Sequence, residues 1–171
     1  MHAEQVNYIN SVRHRYPDDF ISVRVLDVGS QDLNGNNRQF FTNPDYTGLD
    51  IGAGNNVDVI GFVHEYAKTC KTKYDVVISG EMLEHDCYWM ESIQAMYKLL
   101  KRGGLLVITC ASTGRPEHGT SQSKATDSPF TNDYYRNISK EDMQEAINGL
   151  RFGTQELLIN GTDLYFHGRK L

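Results

Sequence analysis

Apolar residues follow two spacings along this chain, and their alternation predicts its elements. Val6, Ile9 and Val12, followed by Arg13, recur at helical intervals over residues 3–15, which predicts a helix. Tyr16-Pro17-Asp18-Asp19 breaks it. Residues 23–28 (VRVLDV) then form a short β-branched run ending at Gly29, the pattern of a strand buried on both faces. Residues 46–51 (YTGLDI), 57–60 (VDVI), 74–79 (YDVVIS) and 105–110 (LLVITC) repeat that pattern. Between the last two, Leu83, Trp89, Ile93, Met96, Tyr97 and Leu100 predict a helix over 82–100, closed by Lys101-Arg102-Gly103-Gly104. Ser139 and Asp142 stand as a capping box for a helix reaching about Asn148. Runs at 152–159 and 163–167, joined by Asn160-Gly161, read as a hairpin.

Continuous apolar strands alternating with helices imply an α/β fold: a doubly wound, mostly parallel sheet with helices on both faces. The seven runs end in an antiparallel C-terminal edge hairpin. With 171 residues and no repeat or linker, the expectation is one domain over 1–171. It divides into an N-terminal helix (1–20), a core (21–112), an aperiodic loop (112–137) and a closing helix and hairpin (138–171). Apolar residues at 39% and charged residues at 23% are globular values that exclude a disordered chain. A net charge of −5 argues against a nucleic-acid partner. No apolar run could span a membrane, and the polar opening has no secretory h-region, so a cytoplasmic location is expected. Cys70, Cys87 and Cys110 form no C-x-x-C pair and read as reduced thiols.

In such sheets ligands lie beyond the carboxyl ends of the strands. Gly29 there permits a sharp turn and close backbone approach, and Asp50 lies where a carboxylate can accept ribose hydroxyls. The dinucleotide pattern Gly-x-Gly-x-x-Gly is missing, since Gln31, Asp32 and Asn34 follow Gly29. Asp32 would repel a pyrophosphate and could meet an ammonium group, which favours a cationic, phosphate-free adenosine ligand over NAD.

Five segments in order carry a family resemblance: VLDVGSQDLNGN, YTGLDI, VDVIGFVHEY, YDVVISGEMLEH and LLKRGGLLVITCAS. The chain resembles the class I S-adenosylmethionine-dependent methyltransferases, over about residues 23–112, and most of all the branch with "LDVGSxDxNG" and "SxEMLEH". The resemblance implies S-adenosylmethionine as cofactor. It implies that Gly29 and Ser30 cradle the methionine, with Gln31 next in a loop that departs from the usual glycines, and that Asp27 orients the loop or the amino group. Asp50 would hold the ribose, Ile51 the adenine face, Val63 and His64 the adenine edge, and Ser79 and Gly80 the sulfonium side.

The implied activity is methyl transfer to a small polar acceptor, favoured as an oxygen of a metabolite or glycan. The Asn/Asp-Pro-Pro-Tyr-type tetrapeptide of amino-group nucleic-acid methyltransferases is replaced by Ser79-Gly80-Glu81-Met82. The alternative is a noncatalytic cofactor-binding or inactive subunit supporting a partner enzyme; a homodimer is also compatible. Loop 112–137 reads as a substrate lid, because loops of about 25 residues in small domains are functional or disordered. His118 is the candidate base, with Asp133 as a second catalytic candidate. His85, Trp89, Tyr134, Tyr135 and Arg136 are candidate acceptor contacts. Glu84-His85-Asp86 could suggest a metal or proton relay, but adjacent helical residues do not share a face, so it otherwise reads as a solvated first helical turn, and Tyr88 and Trp89 as packing residues. Glu117, His118, Asp127 and Asp133 match no metal spacing, so no metal is expected.

Overall fold

The computed structural model describes residues 1–171. Its strands are β1 (Arg24–Val28), β2 (Asp45–Asp50), β3 (Val59–Ile60), β4 (Tyr74–Gly80), β5 (Leu100–Ala111), β6 (Phe152–Asn160) and β7 (Asp163–Lys170). They form one seven-stranded sheet in the order β3-β2-β1-β4-β5-β7-β6. The first five are parallel, and β7 enters antiparallel between β5 and the edge strand β6. Gly161, with φ +62, supplies the left-handed turn of this hairpin. The fold class read from the hydrophobic pattern is the one observed.

Period-two alternation decides which face each strand residue serves. Leu26, Val28, Val77, Leu106 and Ile108 face α2 (Val63–Thr69), α3 (Trp89–Leu99) and α4 (Lys140–Ile147), packing on Ile93, Met96, Leu99 and Met143. Val25, Val76, Ile78, Leu105 and Val107 face the other way, onto Tyr8, Ile9 and Val12 of α1 (Ala3–Arg15) and onto Phe20, Phe40 and Phe41. The capping box is present in full: Ser139 Oγ accepts from Asp142 N, and Asp142 accepts from Ser139 N.

Two expectations need correction, and one element was not foreseen. The helix predicted over 82–100 starts only at Trp89. Glu81 takes a left-handed φ of +54, and Leu83–His85 form a 3₁₀ turn that buries Leu83 without helical continuation. The Asp86 carboxylate then accepts from Tyr88 N and Ser92 Oγ and ties the turn to α3. Lys101–Gly104 do not close a helix; they are the bulged start of β5, held to β4 by Lys101 Nζ on Asp75 at 2.6 Å. Finally, α2 escapes the sequence reading because seven residues show only one i, i+4 buried pair, Val63 and Ala67.

Strand order reverses between β1 and β4. The crevice lies at that switch point, beyond the carboxyl ends of β1, β2 and β4.

Candidate active site

A cavity of about 370 Å³ opens at that switch point, lined by the β1, β2 and β4 ends, the start of α2, the 112–137 loop and the N-terminus of α1. Gly29 turns there with φ +80, and a Cβ would stand 2.5 Å from Met82 Cγ, so only glycine fits. Gly29 N and Ser30 N both donate to Leu49 O, which folds the loop after β1 against β2. Ser30 is buried, with its hydroxyl unpartnered. Asp50 ends β2 and accepts from Gln31 N at 3.0 Å and Gly52 N at 3.1 Å. Each of its oxygens keeps a second lone pair for a ligand hydroxyl.

Asp27 lies at the cavity floor, accepting from Asn37 Nδ2 at 2.8 Å and Tyr46 OH at 2.6 Å. Burial pushes its carboxyl up to about 6, and these two donors only partly offset that. Ile51, Val63 and Gly80 also line the cavity. Two predicted cofactor residues point elsewhere. The Ser79 hydroxyl donates to Val28 O and staples β4 to β1. His64 packs between Phe62 and Tyr88, with ring centroids at 5.4 and 4.7 Å, and does not line the cavity.

On the acceptor side the expectation of a solvated Glu84-His85-Asp86 turn is overturned. Glu84 is fully buried, His85 is 7% exposed and Asp86 is half-buried. Although Glu84 and His85 follow one another in a 3₁₀ turn, one donor atom of each lies within 4.8 Å of the other. Burial drives the Glu84 carboxyl well above the ordinary range, with the Glu81 charge adding to it, and lowers the His85 imidazole to about 4. His118 reaches this turn from the lid: its Nε2 lies 3.9 Å from Glu84 Oε1, and its ring packs edge to face on His85 and Tyr135.

The remaining lid candidates do not line the cavity. Asp133 accepts from Ser121 N and Oγ and ties the lid to itself. Tyr135 OH donates to Asn137 Oδ1. Trp89 is buried under the Arg136 guanidinium, which in turn reaches Asp142, so these two anchor the lid's return to α3 and α4. Tyr134 is half-buried in the same return. Glu117, His118, Asp127 and Asp133 do not gather as one group; Glu84, His85 and His118 do, and so do His2, Glu81 and Asp163.

No protein-family model matches the sequence, and no curated protein matches it. Solved structures do match in shape. A Burkholderia thailandensis 1,6-didemethyltoxoflavin-N1-methyltransferase, determined with its substrate and S-adenosylhomocysteine, superposes with TM-score 0.66 at 14% identity, over 97% of this chain and 78% of that one. A SAM-dependent methyltransferase from Archaeoglobus fulgidus gives 0.61 at 17%, over 96% and 94%. The CurJ carbon methyltransferase gives 0.61 at 16%, over 94% of this chain and 51% of that one. The fold is that of the Rossmann-like methyltransferases. By their names these relatives in shape methylate nitrogen in one case and carbon in another, so the methyltransferase fold alone does not select the acceptor atom.

Within that fold the N-terminal helix contributes residues that the sequence did not single out. Gln5 of α1 reaches Gly80, where a Cβ would collide with its amide, and His2 Nε2 lies 3.4 Å from Glu81. Burial opposes ionisation of Glu81, but His2 holds its carboxyl below the usual range. Both Glu81 oxygens and the Gln5 Oε1 lack hydrogen-bond partners. Phe130, at the far end of the lid, occupies the space a Cβ on Gly52 would need and lines the cavity. Its φ of +71 is costly for an aromatic residue, and nothing in the spacing of the lid foretells it. The sequence signals for Glu81 are its place after the Ser79-Gly80 strand end and in the SxEMLEH segment.

Proposed function

We propose that the chain binds S-adenosylmethionine at the β1–β2–β4 switch point and transfers its methyl group to an oxygen of a small polar acceptor held under the 112–137 lid. The observation that carries this reading is the pairing of a glycine turn that only glycine fits with a β2-end carboxylate, on the walls of one cavity. Three features of the residues fit the cofactor. Asp50 retains acceptor capacity for two ribose hydroxyls. Asp27 offers a carboxylate to the methionine ammonium. Ile51, Val63 and Phe130 supply apolar surface for an adenine.

The bound sulfonium supplies an already activated methyl group, so the protein's work is alignment and water exclusion. The lid performs the exclusion, spanning from His118 to Phe130 across the cavity mouth. On the acceptor side, Glu81 Oε1 and Gln5 Oε1 offer acceptors to hydroxyl donors, which fits a polar molecule such as a hydroxylated metabolite or glycan unit, while Glu81 Oε2 faces His2 at 3.4 Å. Bound S-adenosylmethionine would give up its methyl group to the acceptor oxygen and leave as the neutral thioether, so the chain's residues have to hold the acceptor in line and take care of its proton. The hydroxyl proton must depart, and His118 is the residue that promotes its loss. A carbonyl oxygen can only accept, so the 3.2 Å contact to Pro116 O favours a proton on His118 Nδ1, and the neutral ring then carries its lone pair on Nε2.

The test is calorimetry with S-adenosylhomocysteine, followed by methyl transfer from labelled S-adenosylmethionine to a panel of polyhydroxylated acceptors. The expected result is saturable binding that Asp50→Ala abolishes, with label recovered in an ether or ester. Absence of binding would overturn the cofactor assignment. Binding without transfer to any oxygen acceptor, or label on nitrogen or carbon, would overturn the acceptor assignment.

A further inference from the structure

Between the lid and the β4 end, three metal-competent side chains converge beside the cavity, and two of them carry buried atoms with nothing to bond. One donor atom each from Glu84, His85 and His118 lies within 4.8 Å of the others. Glu84 Oε1 accepts from Ala111 N at 3.2 Å, while Glu84 Oε2 is buried without a partner. His85 Nδ1 is likewise buried and unpartnered. An orphaned carboxylate oxygen and an orphaned imidazole nitrogen at one place are each costly to bury, and a bound ligand would remove that cost.

His118 completes the set with its tautomer already chosen. Its Nδ1–H faces Pro116 O at 3.2 Å, the backbone-carbonyl partner that metal-bound histidines commonly keep on their second nitrogen, so Nε2 is the free donor. Tyr135 packs against both imidazoles, with ring centroids at 4.9 Å from His118 and 5.4 Å from His85, and restricts their rotation. Gly119 allows the approach: a Cβ there would stand 2.8 Å from His85 Cε1 and collide with the Ser128 side chain. Glu84 is fixed from both sides, because its carbonyl accepts from Arg136 N at 2.8 Å as its side chain accepts from Ala111 N.

We infer that Glu84, His85 and His118 form a binding site for a divalent first-row transition ion at the acceptor side of the cavity. Two imidazoles and one carboxylate suit zinc, iron, cobalt or manganese; magnesium and calcium prefer oxygen donors throughout. Bonds of about 2.0–2.2 Å require donor atoms roughly 3–4 Å apart, so the observed spacing closes by a shift of under about 2 Å, which the lid residue His118 can supply. Three protein ligands leave coordination positions for a water or an acceptor oxygen. The lid would then order on the metal, since His118 is the ligand it contributes. The consequence for catalysis rests on the methyl-transfer reading and replaces direct proton removal by His118, whose Nε2 is then engaged as a ligand: an acceptor hydroxyl bound there loses its proton to solvent at neutral pH, because the cation stabilises the alkoxide.

The experiment titrates Co²⁺ into chelator-treated, dialysed protein and follows visible d–d absorption, with Zn²⁺ as competitor and Mg²⁺ as control. The expected result is one Co²⁺ per chain, displaced by Zn²⁺ and not by Mg²⁺. Glu84→Gln, which keeps the acceptor for Ala111 N, and His118→Ala, at a partly exposed loop position, should each weaken Co²⁺ binding by about tenfold or more. Both variants should retain native circular dichroism and affinity for S-adenosylhomocysteine. Absence of the cobalt bands, or bands unchanged in both variants, overturns the site. Cobalt binding in a protein that binds no S-adenosylhomocysteine would leave the metal site standing and remove the methyl-transfer reading. Methyl transfer that persists undiminished in excess chelator would remove the catalytic role of the metal alone.

Discussion

The imidazoles of His85 and His118 meet edge to face, with centroids 5.0 Å apart, although 32 residues separate them in the chain. One comes from the turn after β4, the other from the lid, and their contact joins the cofactor scaffold to the acceptor side. His118→Ala should therefore lower methyl transfer by about a hundredfold, the low end of what acid–base assistance contributes, while leaving S-adenosylhomocysteine affinity within about twofold. Steady-state turnover beside calorimetry separates the two effects. An equal loss in both would mean that His118 serves only to close the lid.

Asp27 should make both stability and ligand affinity depend on pH. Burial raises its folded pKa to about 6, above the ordinary carboxylate value near 4. The folded protein then binds the proton more tightly than the unfolded chain. Its contribution is fully present below about pH 4 and is lost as pH rises through about 6, a decline of roughly 3 kcal/mol. Urea unfolding of Asp27→Asn should lack this decline. A ligand ammonium favours the ionised carboxylate, so S-adenosylhomocysteine should bind more tightly as pH rises to about 6 and level off above it.

Phe130 holds a left-handed backbone while its ring covers Gly52. Replacing it by alanine should weaken cofactor binding about five- to tenfold, from the loss of roughly 1–1.5 kcal/mol of aromatic contact. The global unfolding midpoint should move little, since the ring is 59% exposed. Calorimetry and a thermal melt of the same preparation check both halves.

Gly119 is the position where the lid tolerates least. With φ +69 and His85 beneath it, Gly119→Ala should cost about 1–2 kcal/mol locally and raise the rate of proteolytic cleavage within 112–137. A cleavage rate equal to that of the parent would show that the lid does not depend on this approach.

Ser139→Ala removes one half of the capping box and should lower stability by about 1 kcal/mol, measured by urea unfolding. Because α4 follows the lid's return, and Arg136 reaches Asp142, the same substitution should also loosen the Trp89–Arg136 contact, read as a change in Trp89 fluorescence.

Strand positions, the parallel sheet, the closing hairpin, the α4 cap and the glycine turn and β2-end carboxylate at the cavity were legible in the sequence by itself. Each is a local matter: side-chain period, turn chemistry and distance along the chain decide it within a few residues. The approach to α3 was not, because the buried Leu83 carries the same apolar signal whether it sits in an α-helix or in a 3₁₀ turn, and the left-handed Glu81 that separates them has no signature. The acceptor side belonged wholly to the tertiary structure. Glu84 and His85 are adjacent in the chain and looked solvated; only the β5 end, with Ala111 N, and the lid, with His118 and Tyr135, bury them. His2, Gln5 and Glu81 meet for the same reason. Contacts between residues far apart in sequence cost chain entropy and are settled by the packing of whole elements, so residue type and spacing name the participants but cannot tell which will meet.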